Sequence, residues 1–189
     1  KKETGIDLSE YKEGQMKRRL TTLRVKNGYN SFDLFFKAMM QNKNLFHEFL
    51  DRMTINVSEF WRNPNRWEIL RDSIVPELMR NNKGRLKVWS AACSTGEEPY
   101  TLAMILADKG ILSNTTLMAT DIDNGALEKA QLGQYLERSL KDVPKEVAAK
   151  HFVSEGMHYN INDTLKKAVQ FKKQNLLLDT FDTTFDLIV

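Results

Sequence analysis

The chain has 189 residues, enough for one large or two small domains, and its 41% hydrophobic and 28% charged content is that of a folded rather than a disordered protein. A single cysteine rules out a disulfide framework, and three scattered histidines offer no zinc cluster, so a reducing compartment is expected. The net charge of +3 is too small to argue for nucleic acid, no apolar run approaches the ~20 residues of a membrane span, and the first residues carry no signal-peptide apolar stretch.

Residues 1–53 read as helical. Between Tyr11 and Lys26, Met16, Leu20 and Leu23 recur at steps of four and three, a narrow apolar stripe. The rest of that helix is basic, with Lys12, Lys17, Arg18, Arg19, Arg24 and Lys26 against one acid, Glu13. Such a face is either simply solvated or a docking surface for an acidic partner, because focused charge speeds encounter and selects partners. No aromatic is interleaved with these residues to stack bases, so nucleic acid is not expected. Asn27-Gly28 is a helix stop. Ser31 is a good N-cap for the next helix, whose Phe32, Phe35, Phe36, Met39 and Met40 are expected to be largely buried. A third helix starts at Asn42 or Asn44 and carries Leu45, Phe46, Phe49, Leu50 and Met53 on one side. These segments predict a small helical bundle.

Residues 54–64 are dense in small hydrogen-bonding side chains, then aromatics, then an arginine. Two readings stand side by side. The segment is a connector with a helix cap, or its Asn56, Ser58 and Arg62 line a cleft between the bundle and an α/β domain on its C-terminal side. Asn63-Pro64 opens a helix with Trp67, Leu70, Ile74 and Leu78 at steps of three, four and four, which Pro76 is expected to kink or weaken. Asn81-Asn82-Lys83-Gly84 then breaks the chain.

The organising stretch runs from Val88 to Tyr100: Val-Trp-Ser-Ala-Ala-Cys-Ser-Thr-Gly-Glu-Glu-Pro-Tyr. It reads as a buried strand, a loop with almost no side-chain bulk, and a helix start. Glu97 and Glu98 suit a first turn, where the helix dipole favours negative charge, and Pro99 is tolerated there. A second strand over 116–120 closes on Asp121 and Asp123. Strand, small-residue turn, helix, strand, acid is the nucleotide-binding half of a doubly wound α/β sheet, with the acid placed for ribose hydroxyls. There is no G-x-G-x-x-G, and two acids stand where a pyrophosphate would need free N–H groups. A zwitterionic nucleoside such as S-adenosylmethionine fits better. The alternative is an acid-capped helix in an ordinary α/β domain.

Beyond Asp123 a helix over 126–132 ends at Gly133. Residues 137–150 read as a loop with short helical pieces. The runs 158–161 and 168–171 flank Asn162-Asp163 and suggest a hairpin. The chain closes on the apolar run 185–189, and a further C-terminal part of the α/β domain is expected.

Three strings now converge. Thr54-x-Asn56-x-Ser58-x-Phe60-Trp61-Arg62, the Trp89 to Tyr100 motif, and Ala119-Thr120-Asp121-Ile122-Asp123, in that order and spacing, resemble the bacterial chemoreceptor glutamate methyltransferases, the CheR family. The basic helical N-terminus and Gln174-Asn175-Leu176 match as well, so the resemblance covers essentially the whole chain. It implies an α/β architecture: an N-terminal helical domain (1–63), a linker helix (64–84) and a class I, Rossmann-like methyltransferase domain (85–189) with an inserted β-subdomain at 152–171. It implies S-adenosylmethionine as cofactor and S-adenosylhomocysteine as product. Asn56, Ser58 and Arg62 would reach the cofactor from the interdomain segment, Glu98 its methionine end, Asp121 its ribose, and Asn175 and Leu176 its adenine. Arg62 would hold a carboxylate and is the catalytic candidate. Ser58 keeps a hydroxyl where threonine is common, and Trp61 an aromatic wall where phenylalanine is common. Cys93 reads as packing rather than as a nucleophile. Lys17, Arg18, Arg19 and Arg24 would face the methylation helices of membrane chemoreceptors, the expected partner of a cytoplasmic, monomeric enzyme recruited to receptor arrays, with no nucleic acid, membrane insertion or metal involved. Two rivals remain: a methyltransferase of another substrate, and a non-catalytic S-adenosylmethionine-responsive binding module.

Overall fold

The computed structural model describes residues 13–53, 58–181 and 183–189. The chain divides into two compact units, residues 1–55 and 56–189.

In the first unit, α1 (Glu13–Lys26), α2 (Phe32–Gln41) and α3 (Lys43–Met53) pack together, α3 against each of the other two. The predicted stripe of Met16, Leu20 and Leu23 is buried. Ser31 caps α2 by accepting the Leu34 N–H, and Asn42 caps α3 through the N–H groups of Asn44 and Leu45. The α2 core is narrower than expected. Phe35 and Met39 are buried, but Phe36 and Met40 are exposed and Phe32 is half-buried. Five apolar residues over two turns span more of the helix circumference than α3 covers, so only the central i, i+4 line is sealed. Phe36 keeps an edge-on contact with Phe49 at 6.0 Å.

The second unit starts with Phe60 and Trp61, which are 0% and 6% exposed and belong to the core of the sheet domain. Phe60 packs edge-on against Tyr135 (4.7 Å) and Phe152 (5.3 Å). These anchors explain why the compact unit begins at Asn56 rather than at 64 or 85, and why the helix 64–81 belongs to it.

That helix consists of α4 (Pro64–Ile69), one π-helical turn (Leu70–Ile74) and α5 (Val75–Asn81). Pro76 has no N–H to give and its ring crowds the preceding carbonyls. The widened turn, with the Val75 N–H donating to the Leu70 carbonyl, accommodates it without breaking the rod. The extra residue shifts the apolar register. Trp67, Leu70 and Val75 are buried, whereas Ile74 is 39% exposed. The expected Trp67-Leu70-Ile74 stripe therefore passes through Val75 instead.

The main sheet has the order β6-β2-β1-β7 and is wholly parallel among the described residues: β1 (Leu86–Ala91), β2 (Thr115–Asp121), β6 (Val169–Lys173) and β7 (Leu187–Ile188). Helix α6 (Glu97–Asp108) makes the crossover from β1 to β2, and α7 (Asn124–Leu132) follows β2. Val88, Leu117 and Ala119 are fully buried, as parallel strands require. Successive crossovers lead away from β1 on one side through β2 and β6, while β7 lies on the other. The strand order reverses at β1, and in open α/β sheets the crevice opens at the carboxyl ends beside such a point.

The hairpin expected across Asn162-Asp163 is not there. Asn162 accepts the Leu165 N–H (3.0 Å) and caps a helix, α9 (Asp163–Ala168). The strands on its two sides belong to different sheets. β5 (His158–Ile161) lies between β3 (Gln134–Leu136) and β4 (Phe152–Glu155) in a small antiparallel sheet, while β6 pairs with β2. The small sheet thus recruits 134–136 from upstream, and residues 169–171 lie in the main sheet rather than in an insertion at 152–171. Between β3 and β4 stands the short helix α8 (Lys145–His151).

Gly96, at the N-cap of α6, has φ 96°, and a Cβ there would meet the Ala130 Cβ at 2.8 Å and the Tyr135 hydroxyl at 2.9 Å. Gly156, in the β4–β5 turn, has φ 62° with open space around it. Both alanine variants are strained, but only Gly96→Ala also collides with packed atoms. Gly96→Ala is expected to lower the unfolding free energy by at least ~2 kcal/mol and Gly156→Ala by ~1 kcal/mol, read from urea titrations.

Candidate functional site

The loop after β1 is built to pass close to a ligand. Ala92 (φ 62°), Ser94 (φ 50°) and Gly96 (φ 96°) all take left-handed conformations, which turns the chain sharply and leaves little side-chain bulk in front of the sheet. Hydrogen bonds hold this strained path. The Cys93 N–H donates to the Thr120 carbonyl (2.8 Å), and the Ser94 N–H donates to Asp121 Oδ2 (2.7 Å). The other Asp121 oxygen accepts the Asp123 N–H (2.9 Å). Asp121 ends β2, is buried, and fastens the β1 loop to the β2 loop.

A cleft of about 320 Å³ opens at the carboxyl ends of β1 and β7. Its floor is Ala92, Cys93 and Ser94, with Val189 at one side. Its wall is Ser58, Glu59, Arg62 and Asn63 from the entry segment, then Arg66, Trp67 and Leu70 from the following helix. Glu98 enters from the first turn of α6. Arg62 is bracketed by two left-handed residues, Trp61 (φ 54°) and Asn63 (φ 59°). A bulky residue with positive φ is costly. Here the burial of Phe60 and Trp61, and the Trp61 N–H donating to Thr101 Oγ1 (3.4 Å), hold the turn that carries Arg62 to the cleft.

The Ser90 hydroxyl donates to Glu98 Oε1 (2.7 Å). Burial pushes the Glu98 carboxyl above the ordinary carboxylate range, against the opposing pull of Ser90 and of the Arg62 charge. Glu97 is also raised, by burial first, with Thr95 and Ser58 hydrogen bonds opposing. It faces inward: the Thr95 hydroxyl donates to its Oε2 (2.6 Å). Two buried polar atoms of cleft-lining residues, Ser94 Oγ and Trp67 Nε1, have no hydrogen-bond partner among the described residues. A zwitterionic sulfonium nucleoside carries an ammonium and a carboxylate, and the cleft offers a carboxylate in Glu98 and guanidinium groups in Arg62 and Arg66, so the charges present fit such a molecule.

Of the residues singled out from sequence, Ser58, Arg62 and Glu98 share the cleft. Asp121 stands directly behind it, bonded to the Ser94 backbone. Asn175 and Leu176 follow β6, beside Asp121 through the Gln174 N–H to the Asp121 carbonyl (2.9 Å), but do not line the cleft. Asn175 Oδ1 accepts the Leu177 N–H (2.9 Å), and Leu176 is 44% exposed. Asn56 lies outside the described residues. In the helical unit Lys17 and Arg18 are exposed and Arg19 is half-buried. Arg24 is engaged locally, donating to the Tyr29 carbonyl (2.7 Å) and lying 5.2 Å from the Phe32 ring centre. Sequence reasoning did not single out Glu59, Arg66 or Trp67 as site residues; their only signal was proximity to Arg62 along a helix start. Among the described residues there is no cluster that could hold a metal ion, and no helix is long and apolar enough to cross a membrane.

Cys93 is 1% exposed, and burial, reinforced by the Asp121 charge, pushes its thiol up to about 12. The native thiol is expected to react with iodoacetamide at pH 8 at least ~100-fold more slowly than in urea, because so little thiolate forms. Because the Glu98 value is raised in the folded state, the native protein binds more protons than the unfolded chain between the ordinary and the raised values. Its contribution therefore lowers stability as pH rises through that window. Glu98→Gln is expected to remove this contribution, so that ligand-free stability relative to the parent improves as pH rises above the ordinary glutamate value, measured by denaturant titration of both proteins at each pH.

Two family models match the chain: "CheR methyltransferase, all-alpha domain" over residues 1–54 and "CheR methyltransferase, SAM binding domain" over residues 56–189. A chemotaxis protein methyltransferase of Listeria innocua is 40% identical over the whole chain, which spans 72% of that protein. That of Listeria monocytogenes is 40% identical with the same coverage. That of Borreliella burgdorferi is 30% identical over 97% of the chain and 70% of its own length.

Proposed function

This chain belongs to the CheR methyltransferase family, and on that premise we propose that it is a protein-glutamate O-methyltransferase that esterifies glutamate side chains of membrane chemoreceptors. The observation that carries this reading is the cleft itself, where Glu98 and Arg62 converge beside the left-handed loop at the strand-order reversal.

S-adenosylmethionine supplies a methyl on a sulfonium, which passes to a carboxylate oxygen as the new O–C bond forms and the S–C pair returns to sulfur as a thioether. Glu98 would receive the cofactor's ammonium and Arg62 its carboxylate, with Ser58 beside them. Asp121 would take the ribose hydroxyls with acceptor capacity left over from its two backbone bonds, since a carboxylate has about four lone-pair sites. Asn56 would join Ser58 and Arg62 at the cofactor, and Asn175 and Leu176 would border its adenine. A glutamate with a pKa of ~4.3 is already ionised at neutral pH, so the chain has no proton to remove. An anion and a cation combine, so water, which stabilises the separated charges, opposes the step. The cleft's contribution is alignment and the replacement of water by fixed dipoles. Lys17, Arg18 and Arg19 would meet the acidic methylation helices on the cytoplasmic side of the membrane.

The test is transfer of labelled methyl to a chemoreceptor cytoplasmic fragment. The expected product is alkali-labile and releases its label as methanol. Alkali-stable label would point to another substrate class. S-adenosylhomocysteine binding with no transfer would point to the binding-module reading. Asp121→Ala should abolish S-adenosylhomocysteine binding in calorimetry, whereas Arg18→Glu with Arg19→Glu should impair receptor methylation and leave that binding intact. Equal loss of cofactor binding in both would overturn this division of roles.

A further inference from the structure

Four charged side chains line the cleft: Glu59, Arg62, Arg66 and Glu98. Two of them, the acids, already have partners. Glu59 pairs with Lys141 at 3.2 Å. Glu98 is hydrogen-bonded by Ser90 and lies within reach of the Arg62 charge. The two arginines, Arg62 and Arg66, are exposed and have no ion pair among the described residues, and Arg66 stands in the first turn of the following helix. Its backbone is fixed nonetheless. The Arg66 N–H donates to the Asn63 carbonyl (2.9 Å), the Arg66 carbonyl accepts the Leu70 N–H, and the neighbouring Trp67 is buried. A free guanidinium thus stands on a rigid base at the cleft.

We propose that Arg66 is the positioning residue for the methyl-accepting carboxylate; this rests on the methyltransferase reading above. The reaction brings two carboxylates into one cleft, the cofactor's and the substrate's, and the wall offers two arginines. In an amino acid the ammonium and carboxylate share one carbon. Arg62 lies in the entry segment with Ser58, ahead of the helix, and its charge acts on Glu98, the ammonium's partner, so it is the arginine for the cofactor's carboxylate. Two methylenes and the sulfur separate that carbon from the methyl group. The substrate's anion needs a second cation at the same cleft, and the remaining one is Arg66, in the first turn of the helix that follows Arg62. Its fork can hold one carboxylate oxygen and leave the other free to attack.

The experiment measures steady-state methylation of a chemoreceptor cytoplasmic fragment, with S-adenosylhomocysteine affinity measured separately by calorimetry. Arg66→Ala should raise KM for the fragment about tenfold or more, with kcat and S-adenosylhomocysteine affinity within about twofold of the parent. Arg66→Lys should recover part of the loss, because it keeps the charge but not the fork. An unchanged KM, a fall in kcat alone, or a matching loss of S-adenosylhomocysteine affinity overturns the assignment. If the parent binds S-adenosylhomocysteine but esterifies no glutamate, the methyltransferase reading falls and this proposal with it. If the parent esterifies and Arg66→Ala does so equally well, this proposal alone falls.

Discussion

The carboxylate of Asp121 is the fastening on which the site depends. It ends β2 and accepts two backbone N–H groups, from Ser94 at 2.7 Å and Asp123 at 2.9 Å. The first ties down a loop whose left-handed residues would otherwise relax. The second starts the turn into α7, where Asp123 caps the helix through Gly125 and Ala126. One buried side chain therefore fixes the exits of two adjacent parallel strands. In-register pairing of Ala91 with Thr120 brings those exits level. The cleft floor inherits its shape from this arrangement.

Against that rigid floor the wall is made by a different device. The entry segment turns twice through unfavourable backbone conformations at Trp61 and Asn63. It can do so because Phe60 and Trp61 are sunk into the core of the sheet domain, Phe60 packed on Tyr135 and Phe152 from the small sheet. Hydrophobic burial of this kind contributes on the order of 2–3 kcal/mol per large side chain. That is comparable to the strain of two left-handed residues. Packing thus holds Arg62 in place, and the small sheet takes part by supplying Tyr135 and Phe152.

Much of this was legible in the sequence. The strand, small-residue loop and acid-rich helix start form a pattern with a physical reading, and the structure follows it from Leu86 to Asp108. The caps at Ser31 and Asp123 and the stop at Gly133 follow local rules. The misreadings arose where local pattern underdetermines partners. Asn162-Asp163 suits a turn as well as a helix cap, and only the pairing of β6 with β2 decides between them. Phe36 and Met40 have the right period but are not sealed by α3, which Phe36 touches only edge-on through Phe49. The one-residue slip from Ile74 to Val75 follows from the π turn, which no apolar periodicity announces. In the site, Glu98 and Arg62 were visible as charged residues in a motif, whereas Arg66 and Trp67 become part of the wall only through the geometry of the helix start.

That single widened turn has a structural consequence of its own. An inserted residue rotates everything after it by about 100° relative to an unbroken helix. Trp67, Leu70 and Val75 stay in one core across the widened turn, while Arg66 is exposed at the cleft. One rod thus carries two faces with separate demands. Substitutions at its exposed positions, such as Arg66, can retune the mouth of the site while Trp67, Leu70 and Val75 keep the helix seated in the core.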